Sequence, residues 1–165
     1  MAITASKVRL GTNSPDGCDA PGLHVAVVDV TTATKTLLGG ESGALVVFNR
    51  AAGTTITLPA LSSIRVGAQF KFVVPVTYTG TLKLITGAAT DFLDGSINIG
   101  SLTLAEATDT FIANGSTHIA ILADADTKGR LSGGVINVTA ISATIWWVDG
   151  YLIGAGTLAD PFSAS

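Results

Sequence analysis

The sequence Gln69-Phe70-Lys71-Phe72-Val73-Val74 decides the fold class of this 165-residue chain. Phe70, Phe72 and Val74 alternate with Gln69 and Lys71, so the apolar and polar side chains fall on opposite faces of an extended strand. This period of two predicts a strand with one face in a core and the other toward solvent.

Other short runs rich in β-branched or alternating apolar residues lie on both sides of this strand, with turn-forming residues between them. The predicted strands are residues 23–30, 44–49, 54–58, 69–74, 81–85, 96–99, 102–104, 109–113, 117–122, 135–141 and 144–153. Helical signals are sparse. The pattern predicts an all-β fold, a single antiparallel β-sandwich or barrel, and we expect the sandwich, with a jelly-roll-like or related Greek-key arrangement.

Three connections carry turn signals. The sequence Arg50-Ala51-Ala52-Gly53 has the length of a hairpin loop and ends in glycine, so it predicts a hairpin between the strands around it. Asp94-Gly95 is typical of a turn. The loop 124–129 is interpreted as a solvated hairpin turn.

The chain divides into an N-terminal arm, residues 1–22, and a single sandwich domain, residues 23–165, with a C-terminal tail from about 154. Residues 11–22 contain nearly every turn-forming residue type and few apolar ones, so the arm is expected to run over a surface. We expect it to contribute to assembly with a partner and not to the core.

Composition excludes several classes of protein. Only 13% of the residues are charged, against about 25% in typical domains. Nine Lys and Arg against twelve Asp and Glu give a net charge of −3, which argues against nucleic-acid binding. The uncharged run 131–148 contains too many polar residues for a membrane span. The single cysteine, Cys18, excludes an internal disulfide and a cysteine-based zinc site, and is interpreted as a free thiol.

Residues capable of chemistry are few and scattered. His24 and His118 lie inside predicted strands without a companion at ligand spacing. Asp91 and Asp94 could be imagined as a glycosidase pair, and Asp124 with Asp126 resembles a calcium loop that lacks its third acidic residue and distal glutamate. We therefore predict no catalytic, cofactor-binding or metal-binding residues, and no enzymatic activity.

Four of the ten aromatic residues lie in the last twenty positions. Trp146 and Trp147 are adjacent in a predicted strand, so one is expected in the core and the other facing solvent or another chain. Together with Tyr151 and Phe162 they form the candidate subunit interface, since tryptophan is enriched at interfaces. Core packing and a sugar-stacking platform are the alternatives.

Residues 40–74, which include Asn49 to Ala60 and Gly67 to Val74, resemble head decoration proteins of tailed bacteriophages, also called capsid cement or head-fibre proteins. The ending, residues 147–157 followed by Pro161-Phe162, is similar too. Together the two regions cover about a third of the chain.

The resemblance implies a β-rich structural protein on the outer capsid surface of a virion. It implies binding to the major capsid protein and a homo-oligomer, commonly a trimer at local three-fold positions. It carries no catalytic residues and implies no cofactor, nucleic acid or membrane. The alternative function is a receptor- or carbohydrate-binding tip module of a phage tail fibre, with the exposed aromatic residues stacking on sugars.

Overall fold

Short alternating strands build two sheets whose inner faces share one core. The computed structural model describes residues 25–103 and 108–165, and in these ranges it contains twelve strands. They are β1 (Val27–Val30), β2 (Thr34–Thr36), β3 (Leu45–Phe48), β4 (Thr54–Thr57), β5 (Gln69–Val74), β6 (Leu82–Ile85), β7 (Phe92–Ser101), β8 (Thr108–Asn114), β9 (Ala120–Ala123), β10 (Leu131–Ala140), β11 (Ile145–Gly154) and β12 (Phe162–Ser163). Helical structure in the same ranges is limited to 3-10 turns at Gly39–Glu41, Leu61–Ser63 and Asp126–Lys128.

The two sheets have seven and five strands. The larger has the order β1-β3-β5-β10-β11-β7-β8 and the smaller the order β12-β9-β6-β4-β2. One hydrophobic cluster takes residues from both inner faces, including Phe70 and Phe72 from the larger sheet and Ile56 and Leu84 from the smaller. The predicted all-β sandwich is confirmed.

Strand direction differs from the prediction. Five of the ten strand pairings are parallel: β1 with β3, β3 with β5, β2 with β4, β4 with β6, and β7 with β11. Both sheets are therefore mixed and not purely antiparallel.

The parallel pairings arise because the first six strands form three stacked coils, each with one strand in either sheet. Val27 pairs with Leu45, 18 positions later, and Leu45 pairs with Lys71, 26 positions later. In the other sheet Thr34 pairs with Thr55, 21 positions later. Coil lengths differ, which is why the sequence contains no exact repeat. Among the described strands, those of the first coil, β1 and β2, are the last in their sheets on one flank.

Two predicted hairpins are wrong, because each connection crosses from one sheet to the other. Residues 50–53 join β3 in the larger sheet to β4 in the smaller, so this connection is an arch between sheets. The Arg50 guanidinium donates a hydrogen bond to the Gly53 carbonyl within it. Residues 124–130 likewise cross between sheets, from β9 to β10. A glycine-containing turn between two alternating strands predicts a reversal, but it does not fix whether the second strand joins the same sheet.

Other predicted bounds also change. Asp94-Gly95 lies inside β7, where Gly95 has φ +115° and an added Cβ would meet the Val148 carbonyl of the adjacent strand. Residues 102–103 are not in a strand, and β2 and β12 were not predicted. The tail after 154 is partly ordered into the smaller sheet, because β12 pairs with β9. The arm, residues 1–22, lies outside the described residues.

Candidate functional site

The two aspartates considered as a glycosidase pair accept hydrogen bonds from backbone N–H groups. The Asp91 carboxylate is 3% exposed and accepts a hydrogen bond from the Leu61 N–H at 2.8 Å. The half-buried Asp94 carboxylate accepts one from the Gly95 N–H, also at 2.8 Å. Each carboxylate therefore has a structural partner that explains its position.

The loop that resembles a calcium site is held by ion pairs. Asp124 lies 3.3 Å from the Lys128 ammonium, and Asp126 lies 2.7 Å from the Arg130 guanidinium. The part of the chain that the structure describes contains no group of three or more His, Cys, Asp or Glu arranged to hold a metal ion. These carboxylates neutralise neighbouring cations.

His118 is placed in the loop between β8 and β9, not in the predicted strand. Its ring stacks on Phe162 with centroids 5.6 Å apart, and its Nδ1 accepts a hydrogen bond from the Asn114 N–H at 3.3 Å. His118 thus helps to hold β12 against the sandwich. His24 and Cys18 lie outside the described residues. Within the described ranges, no helix is long and apolar enough to cross a bilayer.

The four candidate interface aromatics separate into two pairs. Trp146 is fully buried, with its ring 6.1 Å from Phe70, and Phe162 is 8% exposed. Both side chains point inward and pack inside the subunit, as in the core-packing alternative. Trp147 and Tyr151 are each 43% exposed, because both lie on the face of β11 opposite to that of Trp146. For these two residues a contact role stays a prediction.

Trp147 and Tyr151 share the outer face of β11 with Asp149 between them. In the adjacent strand β10, the residues in register are Thr139 beside Trp147, Asn137 beside Asp149 and Val135 beside Tyr151. On the other side, β7 places Asp94, Ser96 and Asn98 in the same three rows. The result is a polar surface with two exposed aromatic rings; we call Trp147, Asp149, Tyr151 and Asn137 the aromatic row.

Hydrogen bonds fix the polar members of this face. The Asn137 amide donates to the Asp149 carboxylate at 2.8 Å, and Thr110 Oγ1 donates to the Asn98 amide oxygen at 2.6 Å. A groove of about 340 Å³ lies beside Tyr151 and is lined by Ser96, Asn98, Asn137 and Asp149. Tyr151 itself lies over Gly100, where an added Cβ would overlap the phenol hydroxyl.

A second candidate surface lies at the end of the sandwich and consists of aliphatic residues. Leu38, Val66 and Ile141 are 64%, 63% and 48% exposed, and we call them the end patch. The Gly67 N–H donates to the Ala140 carbonyl at 2.7 Å, which brings the Val66 loop beside Ile141. The segments 39–40 and 63–68 line one groove of about 620 Å³, which places Leu38 at the same end.

Neither the end patch nor Asn137 and Asp149 was singled out from sequence. Leu38 and Val66 lie between predicted strands, where no periodicity indicates exposure, and Ile141 is the last residue of the predicted strand 135–141, one position beyond the end of β10. Asn137 and Asp149 each sit at an outward position of a recognisable strand, but their contact depends on the β10–β11 register. Comparison of the chain with protein-family models, curated proteins and solved structures gave no match in any of the three.

Proposed function

We propose that this chain is a viral structural protein that binds the outer surface of a phage capsid, where it decorates and stabilises the head. The observation that carries the proposal is the end patch. Three aliphatic side chains remain exposed at one end of a domain whose core is already well filled. An exposed apolar patch is typical of a surface that binds another protein.

The partner is the major capsid protein, and the binding unit is a homo-oligomer, with a trimer as the expected form. Exposed valines on the first coil support self-association, since Val25 and Val27 are more than 60% exposed at the open flank. Repeated copies on a lattice bind strongly even when each contact is modest. The resemblance of residues 40–74, 147–157 and 161–162 to head decoration proteins points to the same role.

Co-sedimentation with expanded phage heads tests the proposal. The wild-type protein should pellet with the heads, whereas the double variant Val66→Ser with Ile141→Ser should lose binding by more than about tenfold. Full burial of one such side chain contributes roughly 1.5–3 kcal/mol, and about 1.4 kcal/mol corresponds to a tenfold change.

Ile112→Ser is the matched control, because Ile112 is also an exposed aliphatic residue, at 69%, but lies on the outer face of β8, the last of the described strands in the larger sheet. Thermal unfolding of all variants should match the wild type. A protein that remains monomeric by light scattering and stays in the supernatant with heads present would refute the proposal.

A further inference from the structure

The aromatic row presents two rings to solvent along one strand. Tyr151 and Trp147 are four residues apart on β11, which in an extended strand is about 13 Å. Both are 43% exposed and both point away from the core. A tyrosine or tryptophan ring offers an apolar face together with a polar edge, so it suits a ligand with the same mixed character.

Hydrogen-bonding groups fill the space between and beside the rings. The hydrogen-bonded Asn137 and Asp149 lie midway along the strands between Trp147 and Tyr151. Ser96 and Asn98 lie beside them on β7. Asn137 and Asp149 keep further lone pairs and an N–H for a ligand after bonding to each other. The groove of about 340 Å³ beside Tyr151 is lined by these same groups.

The Tyr151 ring is positioned by a glycine. Gly100 is buried beneath it, and any side chain at that position would displace the phenol. Glycine weakens a strand interior, and it often marks a place where another group must approach the backbone closely. Here that group is the Tyr151 ring, which we infer is held in place for binding.

We propose that the aromatic row binds a neutral oligosaccharide, with the C–H faces of sugar rings stacked on Tyr151 and Trp147. The sugar hydroxyls donate to Asp149 and exchange hydrogen bonds with Asn137, Asn98 and Ser96. Asp149 and Asp94 make this face acidic. Among the described residues in register with Trp147, Asp149 and Tyr151 on β5, β10 and β7, Lys71 is the one cation. This charge disfavours sialylated or phosphorylated glycans. The site is independent of the capsid-binding proposal, which uses the end patch.

A glycan array with neutral and sialylated oligosaccharides tests specificity, followed by calorimetric titration of the best neutral binder. The wild type should bind at least one neutral glycan. Tyr151→Ala and Trp147→Ala should each weaken it by about tenfold, the effect of losing one good contact. Tyr151→Phe keeps the ring and should retain most of the affinity, and Val66→Ala in the end patch, which the sugar site does not use, should leave it unchanged.

Gly100→Ala provides a separate measurement of ring positioning. Its Cβ meets only the mobile far end of the Tyr151 side chain, so the domain should keep its thermal midpoint while glycan affinity falls. Unchanged affinity in this variant would contradict the positioning role.

The inference is overturned if no neutral glycan binds, if sialylated glycans bind in preference, or if both aromatic-to-alanine variants bind as the wild type does. Dimerisation lost on Tyr151→Ala, without glycan binding, would assign the row to a second copy of the chain instead. Head co-sedimentation with Val66→Ser and Ile141→Ser is read separately, so failure of either proposal is distinguishable from failure of the other.

Discussion

The Asp91 carboxylate and the Leu61 N–H form a buried hydrogen bond of 2.8 Å that anchors the turn Leu61–Ser63 to the start of β7. The Tyr78 hydroxyl is a contrasting case. It is buried in the same core and has no partner at hydrogen-bond geometry among the described residues; the backbone N–H of Arg50 interacts with it only weakly. A buried polar group costs free energy unless it is paired, so these two side chains should affect stability with opposite sign.

Asp91→Ala should lower the free energy of unfolding by about 1–3 kcal/mol, because it leaves the Leu61 N–H buried without an acceptor. Asp91→Asn keeps an oxygen that can accept the bond, so its loss should be smaller. Urea unfolding of the two variants and the wild type measures the difference. Equal stability of Asp91→Ala and wild type would contradict the role assigned to this carboxylate.

Tyr78→Phe should raise the free energy of unfolding by about 1 kcal/mol at neutral pH, since it removes an unpaired hydroxyl and keeps the ring. Burial also raises the pKa of Tyr78 above its ordinary range, against a smaller opposing effect of the nearby Arg50. The unfolded tyrosine ionises near pH 10 while the folded one stays neutral, so the wild type loses stability as pH rises above about 10.

Urea midpoints of the wild type and Tyr78→Phe, measured between pH 7 and 11, test both parts. The advantage of the variant should grow above about pH 10. A constant difference across the range would show that the hydroxyl does not resist ionisation.

At the level of elements, the arches between sheets are where glycine is required. Gly53 has φ +101°, and an added Cβ would lie 2.8 Å from the Thr81 N and 2.9 Å from the Thr81 O. Gly43 has a similar φ of +87° but has open space around it. Comparing the two positions therefore separates the energetic cost of the left-handed backbone conformation from the cost of a steric clash.

Gly53→Ala should destabilise the protein by roughly 2–3 kcal/mol, because it combines a left-handed conformation with a backbone clash. Gly43→Ala should cost only about 1 kcal/mol, from conformation alone. Thermal and urea unfolding of the pair provide the measurement. Equal losses would indicate that the β3–β4 arch relaxes away from Thr81.

Sequence reasoning found most elements but not their connectivity. The Gln69–Val74 strand has the predicted bounds because its alternation is unambiguous. β2 was missed because Thr34–Thr36 contains no apolar residue, and its Lys35 instead pairs with Glu41 at 2.8 Å. Residues 50–53 were interpreted as a hairpin because a hairpin and an arch share the same turn residues. In the candidate site, strand alternation predicts that one of Trp146 and Trp147 is buried and the other exposed. It does not say which, because that depends on how the strand packs on the core.

For the whole molecule, one cluster of buried residues from Val30 to Phe162 joins both sheets. Side chains from both inner faces therefore belong to one core, as expected for a domain that unfolds as a single cooperative unit.

Deleting residues 1–22 should leave a cooperatively folded sandwich and weaken co-sedimentation with heads. Differential scanning calorimetry should give a single transition near that of the full chain. A broad or lost transition would show that the arm contributes to the core, and undiminished binding would show that it takes no part in assembly.

The stacked coils also allow the domain to grow by internal duplication. Each coil adds one strand to each sheet. In the larger sheet the paired residues of the first and second coils are 18 positions apart and those of the second and third are 26 apart, yet both pairings form. A duplicated coil could therefore be inserted between existing ones. It would widen the molecule and leave the aromatic row on β10 and β11 unchanged, but it would separate Leu38 from Val66, which lie on successive connections between coils. Relatives of this chain could differ in breadth by whole coils and still share the outer face of β11.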